Sequence, residues 1–418
     1  MQKVCIITLG CKVNKYESEC MASSLIENGY SVTFELEPAD IYIINSCAVT
    51  QMSEKKSRQY LAKIKKINAD AKIIVCGCAS ENNAGQFKKE DLDVVVFGTQ
   101  QKSNIVNYIT NKSFSEHDFT CEYENMNYPY ITSTRAYLKI QDGCNNFCSY
   151  CLIPYVRGRS RSRDLNAIID EAQKLSNEFK EIVLIGIDIS DYKINGKLAL
   201  GEVLKNLNNL PARIRISSFE VRIIDDEFLT ILKNMNNFAP SFHLSLQSGD
   251  NSVLKAMNRK YTREQYIEKC ELIRKYFPDA NITTDIIVGF PGETEDQFNN
   301  TVELAKTVHF GKIHVFPYSS RSGTVASRMI DLPSEIKKDR VKKLSAIGDL
   351  LSKEFNSRFI GSIQDVLLED VENEYFVGFT NNYIKVYIQN NTKLRSGDMV
   401  KIKLLSIYKE GCLGEINE

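Results

Sequence analysis

Between residues 137 and 317 one alternation recurs six times: a short apolar, β-branched run, then a stretch with helical spacing. The apolar runs are 137–140, 182–187, 214–217, 242–246, 284–288 and 313–317. Neighbouring parallel strands need a crossover, usually a helix, so this alternation predicts a mostly parallel sheet covered by helices. Six units predict an open barrel of about three-quarters of a TIM barrel, with its active site at the carboxyl ends of the strands. Asp164 is placed to cap the helix that follows it, and Thr262 with Gln265 reads as a capping box.

The flanks read differently. Strand-like runs at 4–9, 41–45, 72–75 and 93–98, with helical stretches at 15–28 and 51–67, predict a smaller parallel α/β unit. Residues 111–134 are polar and without clear period, and read as a linker. Residues 334–359 read as one long charged helix. Beyond residue 363, short alternating runs at 366–368, 375–379, 383–388 and 399–405 are broken by Asn, Gly and Asp, the pattern of a small antiparallel β-barrel. The expected domains are 1–112, 130–358 and 359–418.

Lys+Arg and Asp+Glu both number 53, so nucleic-acid binding would have to rest on local basic patches. The longest apolar runs fall short of the roughly 18–20 residues of a membrane span, and Met1-Gln2-Lys3-Val4-Cys5 reads as the start of a strand, so a cytoplasmic protein is expected. Twelve cysteines are many for that compartment, where disulfides are rare; they are expected as thiols, thiolates or metal ligands. None of His117, His243, His309 and His314 pairs with a cysteine at zinc-finger spacing. His243, His309 and His314 lie in or beside strand patterns and read as structural.

Two cysteine groups stand out. Cys144, Cys148 and Cys151 share the loop Gly143-Cys144-Asn145-Asn146-Phe147-Cys148-Ser149-Tyr150-Cys151 after the first barrel strand. Three thiolates so spaced can hold three irons of a four-iron cube and leave the fourth open; a structural zinc would want a fourth ligand. The second group is dispersed. Cys11, Cys47 and Cys78 each follow a strand of the N-terminal unit, and the carboxyl ends of parallel strands lie along one edge. Gly10 and Gly77 let the backbone turn tightly there. In a regular strand Cys76 would share a face with Cys78, which leaves a four-cysteine zinc site open; its deeper place in the apolar run favours packing. Cys5, Cys20, Cys121, Cys270 and Cys412 have no partner spacing and read as small buried hydrophobes.

The loop resembles the radical S-adenosylmethionine superfamily, whose pattern is CxxxCxΦC with Φ aromatic. That resemblance implies that Tyr150 packs on the adenine, that Gly186 lies by the methionine amino group, and that the segment Thr284-Asp285-Ile286-Ile287-Val288-Gly289-Phe290-Pro291-Gly292-Glu293 cradles the adenine. Taken together, the residues resemble the methylthiotransferases over essentially the full chain. Thr8-Leu9-Gly10-Cys11-Lys12-Val13-Asn14-Lys15-Tyr16-Glu17 is similar to the MtaB-like branch, rather than to the TYGCQMN or SLGCPKN forms of the isopentenyladenosine and ribosomal-protein branches. So are Asn45-Ser46-Cys47-Ala48-Val49-Thr50, Lys139–Cys148 and His314-Val315-Phe316-Pro317-Tyr318-Ser319. Cys76 departs from the Thr usual there.

The resemblance implies two [4Fe-4S] clusters, on Cys11/Cys47/Cys78 and on Cys144/Cys148/Cys151, S-adenosyl-L-methionine as cofactor, and a C-terminal TRAM domain. It also implies a reducing partner such as flavodoxin or ferredoxin. The implied reaction is C2 methylthiolation of N6-threonylcarbamoyladenosine at position 37, in the anticodon stem-loop of tRNA. That C–H bond is neither acidic nor a leaving-group site, so radical chemistry from the cofactor is required and no general base is named. Isopentenyladenosine tRNA and a ribosomal-protein aspartate are the alternative substrates, and a zinc-containing RNA-binding protein is the alternative class. Arg157, Arg159, Arg161 and Arg163 read as phosphate contacts beside the radical loop. Tyr375, Phe376, Phe379, Tyr383 and Tyr387 are divided between base stacking and barrel core. The basic face of residues 51–66 reads equally as an RNA contact or a solvated surface.

Overall fold

The computed structural model describes residues 1–88, 92–110, 122–389 and 394–417, in two compact units. The first comprises Met1–Thr132, Lys139–Arg163 and Ser319–Val325. Its frame is a five-stranded parallel sheet, in the order Ser31–Thr33, Lys3–Thr8, Ile41–Ser46, Lys72–Gly77, Val94–Val96. The central strands are buried on both faces and read as continuous Val/Ile runs, as covered parallel strands must. On one face Met21, Ala22 and Leu25 of helix Lys12–Glu27 pack on Val4, Ile6, Ile41 and Ile43. On the other, Leu61 and Ile64 of helix Gln51–Ile67 pack with Tyr42, Ile44, Ile73 and Val75. Ser57, Leu61 and Ile64 form that helix's whole buried stripe, so its lysines face outward. Burying Leu61 and Ile64 is worth about 1.5–3 kcal/mol each.

The second unit comprises Ser133–Leu138, Asp164–Tyr318 and Ala326–Glu418. Its strands form two three-stranded sheets. One has the order Arg213–Ile216, Glu181–Ile185, Ala136–Lys139; the other Ser241–His243, Asn281–Val288, Lys312–Pro317. Parallel bridges Ile214–Phe238 and Phe219–Leu244 join them. The result is the expected open series of six strands in chain order. Asp164 accepts from Ala167 N, and the Thr262/Gln265 capping box is formed. Helix Ser334–Ser357 turns Leu344, Gly348, Leu351 and Phe355 inward, and Gly348 lets it approach Ile313. The tail closes into a barrel: Ile363–Glu372, Tyr375–Thr380, Lys385–Gln389, Gly411–Ile416, Met399–Tyr408.

Among the described residues, the sequence reading misses the two-residue strands Gln141–Asp142, Arg161–Ser162, Lys193–Ile194 and Lys197–Leu198, and two others. Ser31–Thr33 is a three-residue edge, too short to show a period, and Gly411–Ile416 carries two glycines where its neighbours crowd it. Of the expected linker and of the isolated cysteines, residues 111–121, and with them Cys121 and His117, lie outside the described residues. Cys5, Cys20, Cys270 and Cys412 are buried among apolar side chains or helix faces, as expected.

Candidate metal centres and their buried ionic frame

Cys11, Cys47 and Cys78 meet at the carboxyl edge of the five-stranded sheet, inside the first unit. The chain reaches two of them in the same way. A strand ends, a glycine with φ of +100° follows (Gly10 or Gly77), and a helix begins at once, Lys12–Glu27 with Cys11 as its N-cap and Cys78–Asn82 with Cys78 as its first residue. A Cβ on Gly10 would stand 2.5 Å from Cys47 Sγ, so only glycine admits Cys47 there. Burial pushes the Cys47 thiol up to about 11, and the nearby Cys78 and Cys11 add to the rise. Burial raises Cys78 as well, against the opposing pull of Arg157 and Lys102. A metal centre bound by these thiols would displace their protons to solvent, since coordination deprotonates such thiols outright. Val49 N–H lies 3.5 Å from Cys47 Sγ, and Arg157 Nε donates to Cys78 Sγ at 3.3 Å. Donors aimed at sulfur suit cluster-ligating thiolates, whose potential they tune.

Cys76 and Cys78 face different ways. Gly77's positive φ ends the strand before Cys78, so the alternation that would have put both thiols on one face is broken. Cys76 lies in the core beneath helix Lys12–Glu27, whereas Cys78 belongs to the core on the opposite face.

Cys144, Cys148 and Cys151 lie half-buried on one loop of the same unit. Its start is clamped: Cys144 N donates to Gly158 O at 3.1 Å, and a Cβ on Gly143 would come within 2.0 Å of Arg159 O. Asn146 N–H and Ile153 N–H each lie 3.4 Å from the sulfur two residues before, Cys144 and Cys151. Phe147 takes a left-handed φ of 49° to turn the chain toward Cys148. The three-thiol, amide-lined loop fits a cluster with one iron left open.

A buried ionic frame, unforeseen from the sequence, ties the two loops together. Arg157 is 0% exposed. Besides Cys78 it donates to Glu17 at 2.9 Å, Asp142 at 3.0 Å and Asn14 at 2.7 Å. Lys139 bridges Glu17 and Asp142 at 2.7 Å each, and Lys102 pairs with Glu17. Asp142 also accepts from Gly143 N at 2.7 Å, next to Cys144. Asn14 straps down Leu9 O and Ser46 O, the carbonyls just before the Cys11 and Cys47 turns. Burial alone would raise the two carboxyls, but Arg157 first, with Lys102 and Lys139 at Glu17 and Lys139 at Asp142, holds both well below the usual carboxylate range. Arg161 lies 3.8 Å from Asp142, so four cations face two carboxylates and the surplus positive charge borders the Cys78 thiol.

This frame corrects the arginine reading. Arg157, Arg161 and Arg163 are buried and bonded to Glu17, Asp142, Tyr16 OH and the carbonyls of Arg157, Arg159 and Lys139. Only Arg159 is exposed, and it lies over the Phe147 ring at 4.4 Å. The tail aromatics divide, as the sequence reading allows. Phe376 and Tyr387 are core. Phe379 and Tyr383 stack on each other at 4.6 Å, with Arg215 and Arg135 over Tyr383 at 4.6 and 5.3 Å.

Tyr150 is half-buried on the loop, and Gly186 directly follows strand Glu181–Ile185. Gly289 follows strand Asn281–Val288 with φ of +69°, and its N–H donates to Glu293, itself paired with Arg340.

Residues 138–305 match the model of the Radical SAM superfamily, and residues 3–98 that of the uncharacterized protein family UPF0004. The fold is similar to that of a radical S-adenosylmethionine methyltransferase, TsrM, from Kitasatospora setae (TM-score 0.57, 12% identity, 78% of this chain and 74% of that one). The chain is 39% identical to the threonylcarbamoyladenosine tRNA methylthiotransferase MtaB of Bacillus subtilis, over 98% of this chain and 96% of that protein. It is 33% identical to the tRNA-2-methylthio-N(6)-dimethylallyladenosine synthase of Acetivibrio thermocellus, over 99% and 90%. The chain belongs to the radical SAM methylthiotransferases, in the MtaB-like branch.

Proposed function

We infer that this chain is the enzyme that methylthiolates C2 of N6-threonylcarbamoyladenosine 37 in tRNA, giving 2-methylthio-N6-threonylcarbamoyladenosine. The observation that carries it is the identity of 39% over 98% of the chain to a protein named for that reaction. The branch-marking residues around Cys11 and before Cys144 support the same choice.

Its cofactors are S-adenosylmethionine and two [4Fe-4S] clusters; Cys144, Cys148 and Cys151 are proposed to hold one, Cys11, Cys47 and Cys78 the other. The chemistry they supply when bound is a carbon-centred radical that takes the C2 hydrogen, and the sulfur and methyl that replace it. The protein's own residues fix and shield. Gly10 and Gly77 let the dispersed thiols converge, and Arg157 with Lys139 anchors Glu17 and Asp142, so the turns carrying both triads hang on one buried frame. Tyr150, Gly186 and Gly289 are proposed as S-adenosylmethionine contacts, the glycines because backbone must approach closely there. A one-electron donor such as flavodoxin or ferredoxin is the proposed reductant. Among the described residues no helix is long and apolar enough to cross a membrane.

The test is an anaerobic assay of reconstituted protein with S-adenosylmethionine and dithionite, on tRNAs carrying threonylcarbamoyladenosine or isopentenyladenosine, with nucleosides read by mass spectrometry. The expected product is the methylthio form of the first alone. Methylthiolation of isopentenyladenosine, or zinc in place of about eight irons per chain, would overturn the assignment.

A further inference from the structure

The second unit carries a donor group that neither cluster uses. His243, Asp285 and His314 stand on three adjacent parallel strands, Ser241–His243, Asn281–Val288 and Lys312–Pro317. The register brings them together. His314 is directly opposite Asp285, and His243 is opposite Thr283, which shares a face with Asp285 two residues on. Thr284, on the other face, bonds Leu244 O and lies 3.4 Å from Tyr266 OH of helix Arg263–Tyr276; Ile313 packs on Gly348 of helix Ser334–Ser357. The triad therefore occupies the face away from both helices.

One ligand atom from each residue lies within 4.8 Å of the other two, and His243 Nε2 is 3.2 Å from Asp285 Oδ2. An ion with bonds of about 2.0–2.2 Å wants neighbouring donors roughly 3–3.6 Å apart, a spacing the His243–Asp285 pair already has and the whole group approaches. His243 Nδ1 lies 2.8 Å from Thr283 Oγ1. Such an outer hydrogen bond fixes the ring of a metal-bound histidine with Nε2 toward the metal. Two imidazoles and one carboxylate suit zinc or ferrous iron and leave coordination positions open. His243 and Asp285 are half-buried and His314 is exposed, so a ligand can reach those positions.

We propose that His243, Asp285 and His314 hold a divalent transition-metal ion whose open positions take the carboxylate of the threonylcarbamoyl side chain. The second half rests on the substrate assignment above. The threonylcarbamoyl group offers a carboxylate and a hydroxyl, hard oxygen donors, whereas an isopentenyl group offers none. His314 also opens the segment His314–Ser319 that matches the MtaB-like branch.

The test uses protein with both clusters reconstituted and loose metal removed, titrated with zinc by calorimetry. The expected result is one further zinc per chain, bound at least about tenfold more weakly by His314→Ala and by Asp285→Asn. Unchanged iron content marks the variants as folded; if His314→Ala loses iron, His314→Gln replaces it. Anticodon stem-loops with and without the threonylcarbamoyl group are then bound at each zinc level. Zinc should strengthen binding of the modified stem-loop alone, and only in the wild type. Equal zinc affinity in wild type and variants, or a preference for the modified RNA that ignores zinc, overturns the proposal while methylthiolation of that RNA still stands. Methylthiolation of isopentenyladenosine instead overturns both.

Discussion

Gly10 tests the dispersed metal centre most directly. Its φ of +100° disfavours any side chain, and a Cβ there would come within 2.5 Å of Cys47 Sγ and 2.7 Å of Cys47 Cβ. Gly10→Ala should therefore displace Cys47 while leaving the loop of Cys144, Cys148 and Cys151 untouched. The expected outcome is a fall from about eight irons per chain to about four after reconstitution, with reductive cleavage of S-adenosylmethionine retained and methylthio product abolished; iron analysis beside both product assays checks it. The six cysteines and Gly10 are legible in the sequence because strand ends and glycines are local signals. Arg157 is not: its sequence context suggests a phosphate contact, and the structure buries it. A basic run looks the same whether its charges meet solvent or carboxylates. The partners that bury it, Glu17 and Asp142, lie 140 and 15 residues away. The one available signal is the pairing of Lys139 with Asp142 just before the cysteine loop.

Among the elements, strand Glu181–Ile185 shows how one buried carboxylate can hold others in place. Glu181 is 0% exposed and bonds Arg213 and Arg215 of the neighbouring strand, the Arg215 pair at 2.9 Å. Those arginines reach on to Asn381 Oδ1, Asn381 O and Thr380 O of the C-terminal barrel. Burial alone would raise the Glu181 carboxyl, but Arg215 and Arg213 outweigh it and bring it down to about 2. A carboxyl so depressed stabilises the fold above its unfolded value of about 4.3 and loses that contribution as pH falls toward 2. Glu181→Gln should cost about 3 kcal/mol at pH 7, because Arg213, Arg215 and Arg135, whose Nη1 lies 3.7 Å from Glu181, are left facing one another. The gap from wild type should shrink as pH drops below about 4, which denaturant melts at pH 7, 4 and 3 will show. The strands themselves are legible in the sequence, since period and turn residues are written locally. The arginine hydrogen bonds that dock the tail barrel are not, because they join residues some 166 positions apart.

Across the whole molecule the charges balance, 53 against 53, so affinity for a polyanion must come from where the basic groups lie. With Arg157, Arg161 and Arg163 buried, the strongest exposed basic stripe among those the sequence suggests is helix Gln51–Ile67. Its buried side is Ser57, Leu61 and Ile64, and Lys55, Lys56, Lys63, Lys65 and Lys66 are exposed. Not all of them are equally free, for Lys63 lies 4.8 Å over the Tyr60 ring, and Arg58 is engaged by Glu54 and Gln86. Lys55, Lys56 and Lys66 are therefore the side chains to remove. The triple alanine variant keeps the helix, since alanine is its best former and none of the three packs inward. If the stripe meets the tRNA backbone, the slope of log K against log salt should lessen by about 0.7–0.9 for each phosphate that a lysine no longer neutralises, roughly two to three in all for three lysines, with the preference for threonylcarbamoyladenosine unchanged. Filter binding of full-length tRNA between low and moderate salt measures the slope. A slope equal to that of the wild type would mark the stripe as merely solvated and move the search for phosphate-binding groups to the exposed lysines of the tail barrel, such as Lys401 and Lys403.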